Sequence, residues 1–316
     1  MSSQSAPQKR RQTVPRIRAR KGGKKPLTML TAYTYAHARL VDAAGVDMIL
    51  VGDSLANVCL GHETTLPVTV EQMVYHTAAV RRGTEQALVV GDMPFLSYNV
   101  SIPQAIENAG RFLKEAGADA VKLEGGVEVA ETVRAITRAG IPVMGHVGLT
   151  PQTVSKLGGY KVQGKSALAA RHLVDACLAL EEAGAFAVVM ECVPSDVASE
   201  ITQRLEIPTI GIGAGPSTDG QVLVFHDVLG VFVNGFEPRF VKRYANIGEQ
   251  AVKAISEFVQ EVQTGTFPAP EHGFAMKRGE GDKLSGALSE PTRGAVADGL
   301  VASESGVVTR ETTSPE

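Results

Sequence analysis

The chain of 316 residues predicts an α/β protein built as one (β/α)8 TIM barrel with disordered N- and C-terminal tails. Three observations predict it. Eight apolar, β-prone runs alternate with stretches of helical period between residues 27 and 234. Helices end in Ala-Gly pairs at Ala44-Gly45, Ala116-Gly117, Ala139-Gly140 and Ala183-Gly184, where glycine takes the left-handed turn that stops a helix. Three successive runs, MILVGDS, ALVVGDMPF and AVKLEGG, each end in an acid: Asp53, Asp92 and Glu124. A barrel needs roughly 250 residues, so one domain over 27–273 accounts for the chain better than two.

Residues 1–26 carry nine Lys or Arg, no acid and few apolar residues. That composition predicts a basic disordered tail, solvated rather than a polyanion-binding arm or a targeting peptide. The strands are then placed at 27–33, 47–52, 87–92, 119–124, 142–147, 186–191, 208–213 and, on a weaker pattern, 229–234. Helices are placed at 34–45, 101–117, 127–140, 167–184 and 195–205. Connections 53–72, 93–102 and 148–166 are too long for plain turns. All three leave strand carboxyl ends, so they lie over the active face. Residues 274–316, rich in Gly, Ser, Thr and Glu without period, read as a disordered C-terminal tail.

Composition narrows the function classes. Hydrophobic content of 44% supports a large core, and a net charge of −3 argues against a dedicated nucleic-acid binder. No apolar run approaches the ~18 residues of a membrane span, and no secretory h-region is present. Cys59, Cys177 and Cys192 are widely separated, with neither zinc spacing nor a disulfide framework. Free thiols in a reducing, cytoplasmic setting are the expectation.

The chemistry-bearing residues sit at strand ends. Asp53-Ser54 and Asp92 taken singly read as turn or cap residues. Three acids at one level of neighbouring strands need a positive partner, and an all-oxygen set favours Mg²⁺ over zinc. Lys122 and Glu124 lie two apart and face the same way. They are either an internal ion pair, or Glu124 holds a metal while Lys122 holds a substrate carboxylate. His146 is either a structural histidine or a hydrogen-bond donor to a substrate oxygen. Glu191, after an apolar run, is either a paired loop acid or a partly desolvated general base. GIGAG at 211–215 is not a dinucleotide fingerprint, because the third glycine is misplaced and no ribose-binding acid follows. It reads as a strand-end loop making room for a ligand.

With these residues in view, the chain resembles the ketopantoate hydroxymethyltransferase family. The resemblance rests on LTAYTYAHA (30–38), VGDSLANV (51–58), GHETTLPVTVEQM (61–73), GDMPF (91–95), VKLEGG (121–126), GHVGLTPQ (145–152), GGYKVQG (158–164), MECVP (190–194) and IGIGAGPSTDGQVLVFHD (210–227). It implies a barrel assembling as a homo-oligomer, a decamer, with Mg²⁺ as cofactor, an α-keto acid substrate and 5,10-methylenetetrahydrofolate as one-carbon donor. It implies metal ligation by Asp53, Asp92 and Glu124. Substrate binding falls to Asp53, Ser54, Asp92, Lys122 and His146, and proton abstraction to Glu191. Two departures stand out: Ala56-Asn57 where many members have Gly-Met, and Thr34 where Asp is common. The competing reading is another Mg²⁺-dependent α-keto acid barrel of the phosphoenolpyruvate mutase/isocitrate lyase type, although the KKCGH-type loop of isocitrate lyases is absent. A polyanion-binding protein using residues 1–26 is the rival from a different class.

Overall fold

The computed structural model describes residues 11–232 and 238–289. Eight parallel strands close a barrel in chain order. They are β1 (Leu27–Thr31), β2 (Met48–Val51), β3 (Leu88–Asp92), β4 (Ala120–Glu124), β5 (Val143–Gly148), β6 (Ala187–Glu191), β7 (Thr209–Ile212) and β8 (Gly220–Leu223). The main outer helices are α1 (Tyr35–Ala43), α2 (Val70–Gly83), α3 (Ile102–Lys114), α4 (Ala130–Arg138), α5 (Ala167–Glu182) and α6 (Ser195–Arg204). Thr69 and Gln72 form a reciprocal capping box at the start of α2, satisfying two backbone donors that a helix start leaves unpaired.

Strand period sets what fills the barrel. Alternate residues face inward. Leu27, Met29, Met48, Leu50, Leu88, Val90, Ala120, Met144, Ala187, Val189, Ile210 and Val222 form the inner apolar cluster. The intervening residues, among them Ile49, Val51, Val89, Val121, Leu123, Val143, Val188 and Met190, pack in the cluster shared with the helices. The next inward positions toward the carboxyl ends are Asp92, Lys122, Glu124, His146 and Glu191. The apolar plug thus gives way to a polar layer at one end.

The other end corrects the first expectation. Residues 11–26 are not a disordered tail. A short helix, Val14–Arg18, places Ile17 in the barrel's inner cluster, fully buried. The basic residues find acids at the strand starts: Arg11 with Asp119 at 2.6 Å, Arg20 with Asp47 at 3.1 Å and Lys21 with Asp219 at 2.9 Å. Those acids also accept backbone N–H groups of neighbouring strands, from Val89, Thr28 and Thr209. The positive run is a fitted cap on the barrel floor. Residues 1–10 lie outside the described residues.

Two further placements differ. The last strand is Gly220–Leu223, not 229–234. It is short and carries an exposed Gln221, so it shows no apolar run, and a Cβ at Gly220 would lie 2.6 Å from the Leu27 carbonyl oxygen. Leu229 instead ends a helix, Phe225–Leu229, stopped by Gly230 at φ +59°; residues 233 and 234 lie outside the described residues. The chain divides into compact units at Lys253 and Ala254. Helices Ile247–Thr264 and Glu280–Ser289 occupy its later part. The second of these falls where the composition predicts a structureless tail, while 290–316 lie outside the described residues.

Candidate active site

The strand register assembles the polar layer. It sets Asp92 opposite Lys122, Glu124 opposite His146 and Gly148 opposite Glu191. Lys122 Nζ lies 2.9 Å from Asp92 Oδ1, 3.2 Å from His146 Nδ1 and 3.8 Å from Glu124 Oε1. His146 bridges two acids, with Nδ1 3.3 Å from Glu124 Oε1 and Nε2 3.3 Å from Glu191 Oε2. Asp53 follows β2, and its backbone N–H donates to Asp92 Oδ2 at 3.0 Å. Gly148 must be glycine: its φ is +95°, and a Cβ there would meet the Glu191 carbonyl oxygen at 2.2 Å. Cys192, next to Glu191, has a positive φ of 49°, a conformation L side chains adopt only where the surroundings impose it.

All three strand-end acids, Lys122 and His146 are buried; the Glu191 side chain keeps 18% exposure. Burial, then repulsion from Asp92 and Glu124, holds the Asp53 carboxyl well above the usual carboxylate range. Burial also raises Asp92, with Lys122 opposing. Glu124 goes the other way: burial is outweighed by His146, Lys122 and the Gln152 N–H. For Lys122, burial is outweighed by Asp92, Glu124 and Asp53, so it stays charged. Burial and Lys122 push His146 down, but Glu124 and Glu191 raise it to about 9.

Four carboxyl groups therefore face two cationic side chains. Asp92 Oδ1 and Glu124 Oε1 are buried and are met only by the Lys122 and His146 ion pairs, with no further hydrogen bond among the described residues. Among the described residues, no group of three or more His, Cys, Asp or Glu side chains is arranged so that all of them could hold one metal ion. Mg²⁺ commonly takes only one or two carboxylates and fills its octahedron with water and substrate oxygens. The buried carboxyl oxygens at the cavity, the excess of carboxyl over cationic groups and the all-oxygen donor set fit such an ion.

These groups line one cavity of about 600 Å³, together with Ser54, Tyr160, Lys161, Cys192 and Arg239. Ser54 precedes a short helix, Leu55–Val58, without capping it; its Oγ instead shares a 2.8 Å hydrogen bond with the hydroxyl of fully buried Tyr33. The glycine loop serves packing: a Cβ on Gly215 would lie 2.2 Å from Ser195 Oγ. Sequence reasoning missed Gln152, which hydrogen-bonds to Asp53 and Glu124 from behind, and Tyr98, which bonds Gln152 and the Glu124 backbone. The Gln in GHVGLTPQ was the available signal, but nothing in its spacing marks it.

The family model described as ketopantoate hydroxymethyltransferase matches residues 11–270. The chain belongs to the ketopantoate hydroxymethyltransferase family. The match begins at the floor cap, so the basic segment from residue 11 is part of the family's pattern. Within this family, 3-methyl-2-oxobutanoate hydroxymethyltransferase of Syntrophobacter fumaroxidans is 55% identical over 88% of this chain and 98% of its own. That of Moorella thermoacetica is 56% identical over 84% and 99%. Membership makes the chain an enzyme, a hydroxymethyltransferase of pantothenate biosynthesis. Solved structures similar in fold include phosphonopyruvate hydrolase in complex with oxalate and Mg²⁺ (TM-score 0.54, 16% identity, 87% of this chain and 98% of that one). Another is 2,3-dimethylmalate lyase, of the phosphoenolpyruvate mutase/isocitrate lyase superfamily (0.52, 15%, 87% and 97%). At such identity they share the barrel architecture alone. Both departures from the usual family pattern have structural roles here. Thr34 caps α1 by accepting from the His37 N–H at 3.1 Å, and Asn57 Nδ2 donates to the His62 carbonyl at 2.9 Å.

Proposed function

We propose that this protein transfers a hydroxymethyl group from 5,10-methylenetetrahydrofolate to 3-methyl-2-oxobutanoate. One water is consumed, and 2-dehydropantoate and tetrahydrofolate are released. The observation that carries the reading is the meeting of Asp53, Asp92, Glu124, Lys122, His146 and Glu191 in one cavity of a chain of this family.

In this reading Asp53, Asp92 and Glu124 hold Mg²⁺. When bound, the ion supplies Lewis-acid stabilisation of the charge that develops on the keto oxygen. Lys122 and Ser54 bind and orient the substrate's carboxylate end, which fixes the face that reacts, and Asp53 and Asp92 meet the substrate on the side of the ion. Tyr33 holds the Ser54 hydroxyl in place. His146 steadies Glu191 through its Nε2 in the free site and turns that donor toward a substrate oxygen when substrate is bound. Glu191, at the partly open rim, removes the C3 proton. Water takes the one-carbon unit from folate at the aldehyde level, both carbon–nitrogen bonds breaking and tetrahydrofolate leaving protonated on nitrogen. The carbanion equivalent at C3 then forms the carbon–carbon bond to that carbon, whose oxygen becomes the new hydroxyl. The apolar plug below excludes water and protects the reactive carbon from that side.

Self-association belongs to the same proposal. Helix Ile247–Thr264 exposes Val252, Ile255, Phe258, Val259 and Val262, an apolar stripe that supports a homo-oligomer such as the decamer. No helix among the described residues is long and apolar enough to cross a membrane, which is compatible with a cytoplasmic enzyme.

The test follows hydrogen exchange at C3 of 3-methyl-2-oxobutanoate by NMR in deuterated water. Wild-type protein with Mg²⁺ exchanges the proton without folate and makes 2-dehydropantoate only when methylenetetrahydrofolate is added. Glu191→Gln loses exchange and keeps Mg²⁺-dependent substrate binding. Undiminished exchange in that variant removes Glu191 from the base role.

A further inference from the structure

Gln152 lies in the turn Pro151–Thr153 after β5 and is 3% exposed. Three of its polar groups have defined directions. Its backbone N–H donates to Glu124 Oε2 at 3.0 Å. Its side-chain amide nitrogen donates to Asp53 Oδ2 at 2.9 Å and to the Met93 carbonyl at 3.0 Å, using both hydrogens. Its amide oxygen accepts from the Tyr98 hydroxyl at 2.6 Å. Tyr98 in turn accepts the Glu124 backbone N–H at 3.1 Å. The hydroxyl's one hydrogen also has the Glu124 carbonyl within 3.1 Å, but the amide oxygen is the nearer acceptor. The Met93 carbonyl can only accept, so it fixes the amide's donor end, and with it the nitrogen that faces Asp53.

The consequence lies in which oxygens remain. Asp53 Oδ2 and Glu124 Oε2 are occupied by Gln152, and Asp92 Oδ2 by the Asp53 N–H. Glu124 Oε1 and Asp92 Oδ1 are met only by the Lys122 and His146 ion pairs in the cavity. One residue on the β5 loop thereby gives acids from two other strands a donor on one oxygen each. We infer that Gln152, held by Tyr98, is a positioning residue that presents the free oxygens of Asp53 and Glu124 to the divalent cation and so sets its affinity. Neither side chain lines the cavity, so both act through the acids. The inference rests on the reading of those acids as cation ligands.

The experiment is calorimetric titration of Mg²⁺ into the intact enzyme with 3-methyl-2-oxobutanoate present, alongside melting temperatures without added ion. Gln152→Met keeps length and bulk but removes both side-chain donors. It is expected to bind Mg²⁺ 10–100-fold more weakly, the range for loss of an outer partner of a metal ligand. Tyr98→Phe keeps the ring, removes the hydroxyl that holds the amide oxygen and the Glu124 N–H, and weakens binding in the same direction by a smaller factor. In both, the Mg²⁺ concentration for half-maximal rate rises while kcat at saturating Mg²⁺ stays within about threefold, which a loss of folded enzyme would not produce. Should Gln152→Met fail to fold, Tyr98→Phe decides. Wild-type affinity within twofold in the folded variants overturns the inference alone. A wild-type protein that binds no Mg²⁺ overturns the cation assignment and the inference together.

Discussion

Replacing Ile17 with alanine takes three carbons out of the barrel floor. Ile17 is fully buried in the inner cluster with Leu27, Met29, Met48 and Leu88. At about 0.8 kcal/mol per buried CH₂, the transfer loss is ~2.4 kcal/mol. The surrounding strands are tied into a closed ladder and cannot collapse into the gap, so a cavity contribution adds to it. The total should fall near ~3–4 kcal/mol, within the ~2–5 usual for such truncations. For a domain of this size, about 2–4 °C of Tm per kcal/mol gives a drop of roughly 6–16 °C. Thermal unfolding followed by far-UV circular dichroism measures it, with exposed Arg18→Ala as a control expected to stay within ~0.5 kcal/mol. The catalytic mouth lies at the opposite end, so kcat well below the transition should change less than twofold. A loss under ~1 kcal/mol, or an unchanged Tm after deletion of residues 1–24, would refute the floor-cap argument.

Asp92→Asn keeps an acceptor for the Asp53 N–H but removes the charge; Mg²⁺ binding by calorimetry should weaken by at least ~10-fold, and wild-type affinity would contradict the ligand assignment. Lys122→Met should separate substrate from metal: the KM for the keto acid rises ~10–150-fold, the worth of a lost charge-assisted hydrogen bond, while Mg²⁺ still binds because a competing cation has gone. Equal loss of both affinities would reject distinct roles. His226 gives a pH prediction. Burial, with nearby His37, lowers its pKa from 6.5 to about 4, so the unfolded chain takes up the proton first as pH falls. The stability it contributes is complete above pH ~6.5 and is lost on acidification toward pH ~4, amounting to at most about 2 kcal/mol between pH ~7.5 and ~5 and less after solvent screening. Urea unfolding of wild type and His226→Phe at both pH values should show a slope difference of that size; parallel slopes would exclude His226 as its source.

Strand period makes most of the barrel legible. A side chain's face follows from counting by two, so the spacing alone puts Lys122 and Glu124 on one face, and an acid at the end of an apolar run falls at the mouth. The register then sets Lys122 opposite Asp92 and His146 opposite Glu124. The eighth strand escapes because Gly220 and Gln221 carry no apolar signal, their positions being set by close backbone approach to β1. The floor cap escapes for a different reason. Arg11, Arg20 and Lys21 read as solvated because composition is blind to partners at Asp119, Asp47 and Asp219, two of them more than 100 residues away.

The same distinction explains why the acids are legible and their support is not. Asp92, Glu124 and Glu191 end strands, and a strand's geometry transmits position along the chain. Gln152 sits in a turn, where no period relates one residue's direction to the next. Its partners are 99 residues away at Asp53, 59 at Met93 and 54 at Tyr98. Only closure of the barrel brings these together. A buried residue that serves one acid with its side-chain amide and a second with its backbone N–H is specified by tertiary contacts alone. Variation at Gln152 should therefore be tolerated by the strand pattern and the fold, and resisted by the site.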